Sequence, residues 1–188
     1  MAETLTSADV ECVFERPHAL IDRPHHYCPG CSHGIYHRLV AEMLDEFGLT
    51  DRTVGICPVG CSVLAYDYFA VDMIEASHGR APAVATGVSS VRLMNGEEYP
   101  TICWTGDGGT YDIGLATVSA AAERNEDILY ICYDNEIYGN TGGQRSSATP
   151  QGARTSTTVR GKGEQKKDML AIMAAHRVPY AATICAAF

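Results

Sequence analysis

Two short polar loops hold the residues best suited to chemistry, and each closes an apolar run. The first follows TICWTG and sets Asp107 among Gly106, Gly108 and Gly109, where a backbone without Cβ lets a ligand come close. The second follows ILYICY, opens on Asp134-Asn135 and runs through Gly139 and Asn140. Residues 113–123 lie between them, rich in alanine with Leu115, Val118 and Ala122 on one side, and read as a helix. This is strand, helix, strand. If the strands are parallel the crossover is right-handed, and both end at the sheet edge where open α/β folds bind ligands. Asp107 and Asn135 would then be neighbours. Oxygens from two strand ends suit Mg²⁺, which takes one or two carboxylates and completes its octahedron with water and phosphate oxygens. The glycines and the helix N-terminus after Gly109 would offer amide hydrogens to the same anion. Either loop alone reads as an ordinary turn of Gly, Asp and Asn. The pair, set across one βαβ unit, points to a Mg²⁺–diphosphate site.

GDG followed, after one helix and one strand, by DN-x-x-x-x-N resembles the thiamine diphosphate motif. The longer strings GDGGTYDIG and YDNEIYGNTGGQRSSATP resemble the β subunit of the 2-oxoacid:ferredoxin oxidoreductases, the pyruvate enzyme's family. The likeness runs from about Tyr27 to the end. It implies that Asp107 and Asn135 ligate Mg²⁺ by side chain and Ile137 by its backbone carbonyl. It also implies that Gly108, Gly109, Gly139 and Asn140 line the diphosphate.

A chain of 188 residues can bury one sizeable core. We divide it into an N-terminal arm, residues 1–26, and a cofactor-binding domain, residues 27–188. The arm reads as a surface extension or one that packs on a partner, with Cys12 a bystander. The net charge of −9 and the lack of a long basic run argue against nucleic acid as a partner. No apolar run approaches the roughly 18 residues a bilayer span needs, and the acidic N-terminus has no apolar signal core. Eight cysteines in an α/β pattern suggest a reducing, cytoplasmic setting with metal or cluster ligands.

The cysteines Cys28 and Cys31 form a CxxC turn, which serves equally as a redox dithiol, half of a zinc site or half of an iron–sulfur site. Cys57 and Cys61 follow in CPVGCS, beyond a helix of residues 33–47 and the strand TVGIC. That helix shows an apolar face of Ile35, Leu39, Val40, Met43, Leu44 and Phe47, with Gly48 as its stop. Four such cysteines satisfy the loose count for zinc, although the second pair is spaced one residue too wide. The resemblance implies instead a [4Fe–4S] cluster on Cys28, Cys31 and Cys61, leaving Cys57, Cys103 and Cys132 as buried thiols. A cubane takes four ligands. Cys185 lies in VPYAATICA, which reads as a closing core strand, so it is expected to be a buried thiol first and a ligand second; either the sequence is a fragment or the fourth ligand comes from elsewhere. The chain looks short for the family.

SVLAYDYF reads as a loop or short helix and DMIEA as a strand. His78, on its own, is more naturally a structural histidine. HGRAP resembles the family element beside the cofactor, which implies a phosphate contact for His78. The helix after it carries Ala81, Ala83, Ala85 and Gly87, which would let it approach the sheet. The family's GCS turn also touches the cofactor, which implies that Gly60, Cys61 and Ser62 serve cluster and cofactor together. Residues 142–164 are polar, locally basic and without apolar period, and read as a long functional or solvated loop. KKDMLAIMAAH reads as an amphipathic helix with a core stripe of Met169, Ile172 and Met173.

Strands and helices alternate, so the expected fold is a mostly parallel, doubly wound α/β sheet with helices on both faces. The resemblance implies oxidative decarboxylation of a 2-oxoacid, pyruvate favoured, to acyl-coenzyme A and CO₂ with electrons passed to ferredoxin. Partner subunits would be α, with γ and δ in some complexes. The glutamate that activates thiamine in this family lies on another subunit or domain, and no motif for it is found, so the chain would act only with a partner. Two other readings stand beside this one. One is a non-redox thiamine diphosphate-dependent decarboxylase or synthase subunit with a zinc or vacant cysteine site. The other is a structural zinc-binding subunit whose two loops are only turns.

Overall fold

Side chains along a strand alternate between two faces, and in this chain both faces are apolar enough to be covered. The structure, a computed structural model, describes residues 12–186. In chain order it runs through helix α1 (His33–Glu46), strands β1 (Val54–Pro58) and β2 (Asp72–Ala76), and helix α2 (Ala81–Met94). Strand β3 (Thr101–Gly106), helix α3 (Leu115–Glu123) and strand β4 (Leu129–Tyr133) follow. Two-residue strands β5 (Ile137–Tyr138) and β6 (Gln144–Arg145) pair antiparallel, and α4 (Met169–Ala175) comes last.

The four main strands are all parallel, in the order β2-β1-β3-β4. On one face Ile56, Ala76 and Cys103 pack under Ala81 and Ala85 of α2, and α3 lies beside α2. On the other, Cys57, Ile102, Trp104 and Tyr133 meet Ala41 and Leu44 of α1 together with Phe69. The expected parallel sheet with helices on both faces is the fold observed. Chain order reverses between β1 and β3, and the crevice beyond the strand tips at such a point is where open α/β sheets bind ligands.

Several expectations are corrected. The inward face of α1 is His33, His37, Ala41 and Leu44. Ile35, Leu39, Met43 and Phe47, expected in the core, point outward, with Phe47 64% exposed. The helix is turned by about one residue because its first half buries two imidazoles that apolar periodicity counts as polar. His37 packs edge-on to Phe69 and Tyr27, and His33 edge-on to Tyr133. Gly48 does end the helix, at φ 63°. In α2 only Ala81 and Ala85 of the expected small residues face the sheet. Ala83 and Gly87 are exposed, as an i, i+4 spacing requires.

Helix α4 is shorter than expected. Asp168 caps it by accepting from the Ala171 amide at 2.9 Å, and its stripe of Met169, Ile172 and Met173 is half-buried instead of core. The run VPYAATICA forms no strand. Apolar composition makes a strand only where a sheet edge accepts it, and this run stays irregular, with Ile184 77% exposed. Cys185, expected to be buried, is exposed. Residues 1–11 of the arm lie outside the described residues. Its later part reaches the domain's own core, for Ala19 is fully buried and its carbonyl accepts from Ala70 N at 2.8 Å.

Candidate active site at the strand tips

Gly106 stands in register with Tyr133, so β3 and β4 end side by side and deliver Asp107 and Asn135 to one rim. One end of the Asn135 amide stands 2.9 Å from Asp107 Oδ1 and 2.8 Å from the Ile137 carbonyl oxygen. With its nitrogen there, Asn135 donates to both. With its oxygen there, three oxygens face one another at separations that match the edges of a Mg²⁺ octahedron, about 2.9 Å for bonds of 2.0–2.1 Å. The donor set therefore fits a small hard cation. Asp107 is only 2% exposed. Burial, with the charge of Asp134 adding, pushes its carboxyl up to about 6 against the Ser146 hydroxyl and the backbone amides of Asp107 and Gly108. A bound cation would favour the ionised form that burial opposes.

Past Asp107 the backbone makes one π turn, Gly108–Asp112, before α3. A wide turn of this kind is often found at functional sites. Glycine is required at Gly108, because a Cβ there would run into the ring of Tyr138. The Tyr138 hydroxyl donates to the Gly108 carbonyl at 3.1 Å and to Asp112 at 2.9 Å. Tyr111 donates to Asp134 at 3.0 Å, and Lys166 pairs with Asp134 and Glu136 at 2.9 and 2.8 Å. The β3 and β4 loops are thus cross-tied.

His78 follows β2 and bonds through Nδ1 to the Val59 carbonyl at 2.7 Å. A Cβ on Gly109 would meet its ring at 3.5 Å, so His78 borders the GDGG turn. Behind it Gly79 takes φ 72°, and Thr117 of α3 donates to its carbonyl at 2.7 Å. The turn after β1 brings Gly60, Cys61 and Ser62 to the same rim. Cys61 donates to Asn140 at 2.9 Å, and a Cβ on Gly139 would sit 3.6 Å from its sulfur. Ser62 is fully buried, with a hydroxyl that has no partner among the described residues.

Cys28 and Cys31 reach this rim from the segment before α1. Burial raises the Cys61 thiol, and the charges of Cys31, Cys28 and Asp107 add to that effect, against a hydrogen bond from the Asn140 backbone. Cys31 bonds instead to His33 Nδ1 at 3.0 Å. Among the described residues no three His, Cys, Asp or Glu side chains close on one metal-sized centre. The three cysteines therefore do not form a ligand set in this structure. Cys57 and Cys103 are buried as expected, while Cys132 is half-buried.

Sequence reasoning did not single out Ser146, Ser147, Thr149, Lys162, Asp112 or Tyr138, all of which brace the site. Their only mark was membership of longer strings, Asp112 of GDGGTYDIG, Tyr138 of YDNEIYGN and the other four of the polar stretch after NTGGQ.

An α/β domain with an oxygen set of this kind and a glycine turn beside its switch point suits a metal-bound diphosphate. The match to known families agrees, and the chain belongs to the thiamine pyrophosphate enzymes, C-terminal TPP-binding domain, over residues 58–187. Its relatives there include pyruvate synthase subunit PorB of Methanothermobacter marburgensis, 43% identical over 170 residues, 85% of this chain and 57% of that one. Ketoisovalerate oxidoreductase subunit VorA of Methanothermobacter thermautotrophicus is 42% identical over 150 residues, 80% of this chain and 31% of that one. Among solved structures, 2-oxoglutarate:ferredoxin oxidoreductase from Magnetococcus marinus, with 2-oxoglutarate, coenzyme A and succinyl-CoA bound, superposes with a TM-score of 0.80. It is 28% identical and covers 87% of this chain and 55% of that one. The chain thus spans between 31% and 57% of the length of these relatives. No helix among the described residues is long and apolar enough to cross a membrane.

Proposed function

We propose that this chain is the thiamine diphosphate- and Mg²⁺-binding part of a 2-oxoacid:ferredoxin oxidoreductase, acting on pyruvate. The observation that carries the reading is the meeting of Asp107, Asn135 and the Ile137 carbonyl at two adjacent parallel strand tips. When bound, thiamine diphosphate supplies the nucleophilic carbon and electron sink that 2-oxoacid decarboxylation needs. The chain's own part is to hold and orient. Asp107, Asn135 and Ile137 would hold Mg²⁺, Gly108, Gly109, Gly139 and Asn140 would let the diphosphate come close, and His78 would offer its Nε2 edge.

The reading extends to a [4Fe–4S] cluster on Cys28, Cys31 and Cys61. Support comes from the CPGC and GCS motifs, the effect of Cys31 and Cys28 in raising the Cys61 thiol and the bond from Cys61 to the Asn140 loop. Because the sulfurs do not converge, cluster assembly would have to draw the CPGC turn inward. Iron and sulfide analysis of the anaerobically purified complex tests this extension and separates it from a non-redox thiamine enzyme. The wider reaction, with coenzyme A and ferredoxin as co-substrates, is proposed from the name of the solved relative, and an α subunit supplying the activating glutamate from the resemblance of the sequence motifs.

Calorimetry on the purified complex decides the core reading. Thiamine diphosphate should bind only with Mg²⁺, and Asp107→Asn should weaken that binding about a hundredfold. Binding that ignores Mg²⁺ or Asp107 would overturn it. A panel of 2-oxoacids with coenzyme A and a viologen dye then tests the preference for pyruvate.

A further inference from the structure

We infer that Ser146 and Thr149 are positioning residues for the metal, a cross-brace that presets the two loops on which the oxygen ligands sit. The inference rests on the Mg²⁺ site proposed above and goes beyond the ligands themselves.

Ser146 donates through Oγ to Asp107 Oδ2. One carboxylate oxygen is thereby tied back while Oδ1 is the one that faces Asn135. Thr149 donates through Oγ1 to the Glu136 carbonyl at 2.5 Å, one residue before Ile137. Glu136 holds a left-handed φ of 64°, which L side chains rarely adopt and which persists only where the surroundings fix it. Asp134 bonds the Glu136 amide from the other side at 3.1 Å. One four-residue turn therefore grips the acid of the β3 loop and the strained peptide of the β4 loop.

The turn is itself rigidly built. Ser146 N donates to Thr149 Oγ1 at 2.9 Å, and Ala148 N to Ser146 Oγ at 3.1 Å. Ser147 holds Asp112 through both its hydroxyl and its amide. Behind the turn lies Lys162, only 2% exposed, whose ammonium donates to the carbonyls of Thr149 at 2.6 Å and Ser147 at 3.1 Å. Both of these partners are carbonyls, so the ammonium fixes the backbone of the turn. A buried charge is costly unless hydrogen-bonded, and here that cost goes into holding the brace.

The test is a calorimetric titration of Mg²⁺ into the purified complex with thiamine diphosphate in excess, beside its kinetics. Ser146→Ala and Thr149→Val should each weaken Mg²⁺ binding about tenfold or more, since charge-assisted and strain-holding bonds are lost. The Mg²⁺ concentration for half-maximal turnover should rise by the same factor. Ser146→Thr and Thr149→Ser, which keep the hydroxyl, should restore the affinity. A merely structural loop would instead lower the melting temperature and leave Mg²⁺ affinity within twofold, and that result overturns the inference. Should Ser146→Ala fail to fold, Ser146→Cys is judged by the same criterion. If the parent complex shows no Mg²⁺-dependent binding, the site reading falls first, which separates the two failures.

Discussion

The thiol of Cys61 donates to the side-chain oxygen of Asn140 across 2.9 Å, joining the turn after β1 to the loop after β4. These segments are 79 residues apart in sequence. They meet because β1 and β3 flank the switch point while the β4 loop folds back through the β5–β6 pair. The proposed sulfur ligand and the proposed diphosphate loop are therefore in direct contact.

That contact separates two roles. Cys61→Ser keeps a donor for Asn140 and removes the thiolate. Mg²⁺-dependent thiamine diphosphate affinity should stay within about threefold, since a neutral hydrogen bond of order 1 kcal/mol is preserved. Iron and sulfide per chain should fall below about a tenth of the parent value if Cys61 is one of four cluster ligands. Full iron content in this variant would remove Cys61 from the ligand set.

Thiol reactivity offers a second check. Burial pushes Cys57 up to about 11 and Cys103 and Cys132 up to about 12, leaving almost no thiolate at pH 8. Cys28 and Cys185 are exposed. A short iodoacetamide pulse on metal-free protein, read by mass spectrometry, should label Cys28 and Cys185 and spare the three strand-associated thiols until the protein is unfolded. In the iron-loaded complex Cys28 should become protected while Cys185 still reacts. Protection of Cys185 as well would make it the fourth ligand.

The turned helix α1 can be tested by stability. Leu44 is buried in the core, whereas Met43 is 52% exposed. Leu44→Ala should cost about 2–5 kcal/mol, and Met43→Ala less than about 1 kcal/mol. Equal losses in denaturant titration would restore the face that apolar periodicity suggests.

What was legible followed physical simplicity. The strands TICWTG and ILYICY, the helix between them and the meeting of Asp107 with Asn135 rest on local apolar runs and the handedness of a parallel crossover. The inward face of α1 was hidden because His33 and His37 are polar by type yet sit in an aromatic pocket. The VPYAATICA tail misled because composition cannot say whether a sheet edge is available. The brace of Ser146, Thr149 and Lys162 was invisible for another reason. Serine, threonine and lysine in a polar loop look solvated until long-range folding buries them.

His37 makes the pH dependence of stability testable. Burial, with help from the charges of His33 and His25, lowers it to about 3, and its Nε2 has no hydrogen-bond partner among the described residues. In the unfolded chain an ordinary histidine takes a proton near 6.5. Between those values the unfolded state binds the extra proton, so stability rises with pH across that window and is lost as pH falls below about 6.5. His33, also lowered by burial, acts with the same sign. The loss assignable to His37 between pH 7 and pH 4 should be on the order of 3 kcal/mol, from about 1.4 kcal/mol per pH unit. Denaturant midpoints of the parent should fall over that range, and His37→Leu should flatten the fall, because no proton is taken up at that position. A parent curve that stays level from pH 7 to pH 4, or a His37→Leu curve just as steep, would mean that the imidazole is not held neutral in this pocket.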